Sequence, residues 1–216
     1  MTGGMWNTSK SPRKMADEFS KLKKENTSQK EDCNLCKESS FKVGEKTGYG
    51  VVVLKIGNAD NGWFASLSPL TGGLQNDFTI QLQPFMHLTH FCQLENNQKS
   101  AANYGLAFSK VSHAMTKILM DDEGLKSVSA TRETGISITT YGKSTSWKDK
   151  KEHLHLKVFP FRGAIGQPYT VDSTFGKKEI FKEENSEFVK MAPVKKVKIS
   201  QKRFEDLKKR LIALLK

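Results

Sequence analysis

The sequence predicts an α+β domain: an antiparallel sheet interrupted by one long helix, with an amphipathic helix following near residue 200. Three observations predict it. Short β-branched and aromatic runs recur between turn residues, a central segment switches to helical spacing, and the stretch "SQKRFEDLKKRLIALLK" carries a single apolar stripe.

Residues 1–31 are rich in Lys, Ser, Thr and Asn and nearly lack aliphatics, which predicts a flexible basic arm, with "DEFSKLKK" able to form a passing helical turn. The globular texture spans 32–176. Strands are expected at "YGVVVLKI" (49–56), "GWFASLS" (62–68), "DFTIQLQ" (77–83), "GISITTY" (135–141) and "HLHLKVF" (153–159), each bounded by Gly, Asn, Asp or Pro. Between the third and fourth, Ala107, Val111, Ala114, Met115 and Ile118 recur at helical spacing and predict a helix over 99–120. Residues 177–216 read as a basic extension ending in a helix. Ser200 is its N-cap, and Phe204, Leu207, Leu211 and Leu214/Leu215 form its stripe. That stripe either docks on its own domain or makes a partner or homodimer contact.

Thirteen Phe and a hydrophobic content of 37% support a real core, whereas 27% charged residues and a mean hydropathy of −0.54 leave part of the chain outside it. The net charge of +12 sits mostly at the ends: residues 177–216 hold thirteen basic against six acidic residues, and 1–31 hold seven against four. An electrostatic grip on nucleic acid would therefore come from the tails, which otherwise serve as solvated ends. No run approaches the ~20 apolar residues that span a bilayer, and the N-terminus lacks the apolar stretch of a secretory signal. Three cysteines make a poor disulfide framework. These features predict a cytoplasmic chain without a membrane partner, and "KKVK" at 195–198 adds a weak nuclear-import pattern.

In "HLHLKVFP", His153, His155 and Lys157 alternate with Leu154, Leu156 and Val158, so one strand face carries two imidazoles and an ammonium. Either that face is simply wet, or it handles something negatively charged. Cys33 and Cys36 stand at Cys-x₂-Cys spacing, which suits half a metal site or a redox pair. The absence of a second cysteine pair excludes a zinc ribbon, and no βαβ pattern supports a thioredoxin-like motif.

The order of these segments resembles the histidine triad (HIT) superfamily. An aromatic strand leads to the turn "PLTGG", then come a strand running into Pro84 and His87, a helix, a strand, and "HLHLKVFP". That superfamily includes nucleotide hydrolases, dinucleoside polyphosphate phosphorylases and galactose-1-phosphate uridylyltransferase, and the likeness covers residues 33–165. It implies a HIT-like sheet and a hydrolase or nucleotidyltransferase acting on a nucleotide or dinucleoside polyphosphate. The middle histidine, His155, would form a covalent nucleotidyl-histidine at the α-phosphate. Lys157 stands where the family has His or Gln, and can donate to a phosphate oxygen. Ser66 occupies the ribose-contacting position, and Trp63, Phe64 and Leu67 the slot for the base. Asp149 replaces a phosphate-holding Gln, with Ser144 and Ser146 nearby as substitute donors. Arg162, just beyond the strand, brings a guanidinium toward an anionic ligand. The zinc-carrying branches imply a structural Zn on Cys33, Cys36, His87 and His153, with His90 as the alternative third ligand. Two further outcomes accord with the resemblance: a zinc-stabilised binding protein without turnover, and a nucleic-acid-end-processing relative whose basic tails follow the polymer.

Overall fold

The structure is a computed structural model that describes residues 33–71, 77–126, 135–141, 153–161, 175–183, 186–193 and 197–216. It is mixed α and β, built on a five-stranded antiparallel sheet. In chain order the strands are β1 (Val51–Ile56), β2 (Trp63–Leu67), β3 (Leu70–Thr71), β4 (Ile80–Pro84), β5 (Gly135–Tyr141), β6 (His155–Phe161), β7 (Phe175–Glu183), β8 (Ser186–Pro193) and β9 (Val197–Lys198). The helices are α1 (Asn34–Glu38), α2 (Gln98–Glu123) and α3 (Gln201–Leu214), with a 3₁₀ turn at Phe91–Asn96. The main sheet runs β1-β2-β4-β6-β5, while β3 pairs with β9 and β7 with β8 in two separate ladders.

Alternation along the strands decides the layers. Trp63, Ala65 and Leu67 of β2, Ile80 and Leu82 of β4, and Leu156 and Val158 of β6 share one buried face. The long helix α2 covers it with Ala107, Val111, Ala114, Met115, Ile118 and Leu119. Asn97 caps α2 by accepting from the Ser100 N–H at 2.9 Å. At the other end Gly124 closes the helix at φ +67°, where its N–H reaches the carbonyls of Asp121 and Met120. The expected helix at 99–120 thus runs a turn further, to Glu123.

The last helix docks on its own domain. Phe204, Leu207, Leu211 and Leu215 join the same core, and α3 lies against β1 and α2. Ser200 caps it as expected, accepting from the Arg203 N–H at 3.2 Å. Polar contacts pin it further: Asp122, at the end of α2, accepts from both Arg203 and Arg210, the latter at 2.7 Å. The β3–β9 ladder and an Ile199 N–H to Pro69 carbonyl bond of 3.0 Å deliver the chain to this helix.

The β7–β8 ladder overlaps residues 177–216, read from the sequence as a basic extension ending in a helix, where no strand was expected. It pairs Ile180 with Val189 and Phe181 with Phe188. The predicted arm 1–31 lies outside the described residues. No helix among the described residues is long and apolar enough to cross a membrane.

Candidate metal centre and the adjoining histidine

Cys33 and Cys36 are brought to one side of a single helical turn. Cys33 is the N-cap of α1, and its carbonyl accepts from the Lys37 N–H at 3.1 Å. The partner histidines come from two chain segments that hydrogen-bond to each other. Pro84 ends β4, the chain turns through Met86 and Leu88, and the Leu88 carbonyl accepts from the Leu154 N–H at 2.6 Å. His87 and His153, which flank that bond, are thereby held with ring centroids 5.3 Å apart and planes nearly perpendicular at 87°.

All four side chains are buried, and their ligand atoms lie within 4.8 Å of one another. Cys33 Sγ is 3.4 Å from His153 Nδ1, and Cys36 Sγ is 3.5 Å from both His153 Nδ1 and His87 Nδ1. A tetrahedral zinc ion with bonds of about 2.3 Å to sulfur and about 2.1 Å to nitrogen needs S···N edges of about 3.6 Å. The donor set and spacing therefore fit a metal ion such as zinc. His153 is oriented for the task, because its Nε2–H donates to the Pro84 carbonyl at 3.1 Å and leaves Nδ1 free to ligate. The Cys33 thiol is held far below the usual range, chiefly by hydrogen bonding with Cys36. The His153 and His87 rings add to this, while burial opposes it. A lowered thiol value favours the thiolate, which is the metal-binding form. His90, three residues beyond His87, is turned elsewhere: its Nδ1 meets the Thr89 hydroxyl at 2.9 Å and it caps the 3₁₀ turn.

His155 follows on the opposite face of β6, because Leu154 and Leu156 point into the core. Its Nδ1–H donates to the His153 carbonyl at 2.9 Å. A carbonyl can only accept, so a neutral ring in this arrangement carries its lone pair on Nε2. Burial lowers the pKa of this imidazole below its ordinary 6.5. The nearby Lys157 and His153 act in the same direction, and the hydrogen bond to the His153 carbonyl opposes them. The ring is thus biased toward the neutral, nucleophilic form. Lys157 is half-buried and stands in register with Gln81 of β4.

The substrate-facing residues expected from the sequence divide. Ser66 is buried on the same sheet face as His155, in register with Gln81. Trp63 instead belongs to the core: it is fully buried beneath α2, and its indole N–H donates to the Ser100 carbonyl at 3.0 Å. Leu67 lies in the same core. The reason is the period of two, since Trp63 and Leu67 share a face that Phe64 and Ser66 do not. Phe64 packs with Val52 and Phe85 on the other side. Ser144, Ser146, Asp149 and Arg162 lie outside the described residues.

Sequence reading passed over Thr79, Gln81 and Gln83 of the β4 segment. They share the His155 face, and Gln81 Nε2 donates to Gln83 Oε1 at 2.5 Å. Their signal was present as plain alternation with Phe78, Ile80 and Leu82, but polar residues opposite apolar ones are the ordinary pattern for a strand with one wet face. Comparison with known proteins returned no match: no family model, no curated protein and no solved structure corresponds to this chain.

Proposed function

We propose that this protein is a HIT-like nucleotide hydrolase or nucleotidyltransferase, carrying a structural zinc ion and using His155 as its nucleophile. The observation that carries the reading is adjacency: His153 lies two residues before His155, the first residue of β6. His153 offers its ring to the four-residue cluster and its carbonyl to His155, so the residue that would hold the metal also sets which nitrogen of a neutral His155 ring bears the lone pair.

The chemistry follows from that lone pair. Nε2 attacks the α-phosphorus of a nucleotide or dinucleoside polyphosphate. A P–N bond forms as the bond to the leaving phosphate or nucleotide breaks, and the leaving oxygen takes the electron pair. Water or a second phosphate-bearing acceptor then attacks phosphorus, the P–N bond breaks, and the ring recovers its pair. Lys157 donates to phosphoryl oxygens and offsets their charge. Cys33, Cys36, His87 and His153 would hold the zinc, whose contribution is to fix the edge of β6. A β-strand anchored in this way suits a nucleophile that needs alignment with the scissile bond.

The experiment is to incubate the protein with an α-labelled nucleotide or dinucleoside polyphosphate and look for an acid-labile phosphoramidate. The wild-type protein is expected to become labelled. His155→Ala is expected to remain unlabelled while keeping its metal and melting temperature. Equal labelling of His155→Ala overturns the assignment of the nucleophile.

A second reading is favoured by Lys157. An ammonium in the third position departs from the His or Gln that the HIT resemblance expects there, which accords with a zinc-stabilised binding protein without turnover. Nucleotide binding with no labelling of the wild-type protein would select it.

A further inference from the structure

The face of the sheet that carries His155 holds buried polar atoms that find no partner among the described residues. Ser66 Oγ, Thr79 Oγ1 and Gln83 Nε2 are buried without a hydrogen bond. Such groups cost stability, and the opposite face of the same strands is uniformly apolar, so the polarity is confined to the side where His155 stands.

Their arrangement is ordered. Ser66 pairs with Gln81 across β2 and β4, and Gln81 pairs with Lys157 across β4 and β6. In the neighbouring row Phe64 pairs with Gln83, and continuing the β4–β6 register sets Gln83 opposite His155. Directly opposed residues on one sheet face have β-carbons about 5 Å apart, so the Gln83 amide lies within side-chain reach of whatever His155 contacts.

The neighbouring Gln81 sets the orientation of that amide in the structure. Gln83 Oε1 is taken up by Gln81 Nε2 at 2.5 Å, so the end left over is the NH₂, which only donates. Lys157, two residues along β6 from His155, likewise only donates. These two groups can only donate and the Ser66 and Thr79 hydroxyls on the same face can also donate, which suits a ligand group that only accepts, as phosphoryl oxygens do. Sugar hydroxyls would be served equally well by acceptors. Asp149, a carboxylate, stands where the HIT resemblance expects a phosphate-holding amide.

We propose that Gln83, held in orientation by Gln81, donates through Nε2 to a non-bridging oxygen of the phosphoryl group that His155 faces. This deepens the nucleotidyl-histidine reading and rests on it for the identity of the ligand. Gln83 would neutralise part of the charge developing on that oxygen, supplying from β4 the amide absent at position 149.

The test uses the full-length protein and two variants, Gln83→Leu and Gln83→Glu. Removing one preorganised donor is expected to slow labelling by about 10²-fold, and the carboxylate of Gln83→Glu is expected to slow it further. Without ligand, Gln83→Leu is expected to melt close to wild type, because the orphaned Gln83 donor is removed while the buried Gln81 Nε2 loses its acceptor. A merely structural role would not move the third readout. With the two diastereomers of a nucleoside α-phosphorothioate, wild type should prefer one, and Gln83→Leu should lose that preference. Labelling of Gln83→Leu at the wild-type rate with the preference intact overturns the proposal.

The two readings fail separately. If wild type is never labelled but inorganic phosphate raises its melting temperature, and Gln83→Leu abolishes that shift, the nucleophile reading falls and the Gln83 contact stands. If phosphate shifts both proteins equally, or neither, the Gln83 contact falls.

Discussion

Replacing Cys36 with serine tests the metal centre most directly. Cys33, Cys36, His87 and His153 are 3%, 3%, 5% and 2% exposed, so groups that lose the ion cannot turn to water. A buried polar group without its partner costs about 1–3 kcal/mol. His153 keeps its Pro84 bond, and the remaining thiol and rings keep weak mutual contacts. The net loss is therefore about 3–5 kcal/mol, set against a total domain stability of about 5–15 kcal/mol. For a chain of this length each kcal/mol moves Tm by about 2–4 °C, so the expected fall is about 6–20 °C. The assay is calorimetry on four samples: wild type and Cys36→Ser, each metal-loaded and chelated, with metal content measured by mass spectrometry. If the cysteine acts through the ion, chelation should lower wild type sharply and barely move Cys36→Ser, a non-additivity that a packing defect would not produce. A fully stripped wild-type protein melting at the same temperature as the loaded one would refute the reasoning.

Asp122→Asn should cost about 1–2 kcal/mol at neutral pH by uncoupling α3 from α2, since the carboxylate accepts from both Arg203 and Arg210. Burial pushes this carboxyl up, but the two arginines more than offset that and hold it below its ordinary 3.8. The stabilisation is thus full above about pH 5 and is lost as pH falls through the depressed folded value, so denaturant melts of wild type and variant should converge in acid. Leu207→Ala should cost about 2–5 kcal/mol in the same assay, because Leu207 is fully buried between α3 and the sheet. A loss below 1 kcal/mol would mean that α3 is not seated in the core.

The strands that build the main sheet were legible because each is apolar, β-branched and bounded by turn residues. The four clustered residues were grouped only through the resemblance, since Cys33 and His153 are 120 positions apart and spacing alone left the cysteine pair ambiguous. Trp63 lies on the core face for a physical reason. Alternation separates Trp63 from Phe64, but nothing in the strand itself says which face the helix will cover. The β7–β8 hairpin was hidden by its charge, as Lys177, Lys178, Glu179 and Lys182 dilute the apolar pattern of the first strand. The two-residue β3–β9 ladder is a tertiary event with no local signal. Gln83 was readable as a polar residue but not as an orphan, because whether a side chain finds a partner depends on residues brought near it by folding.

The position of the last helix has a consequence for how the chain comes into being. Phe204, Leu207, Leu211 and Leu215 complete a core whose other walls are translated well before them. While synthesis proceeds, the apolar residues of β1 that α3 covers have no lid. The nascent polypeptide passes through a stage in which this apolar face of β1 waits for α3, and it is open to misassociation during that interval.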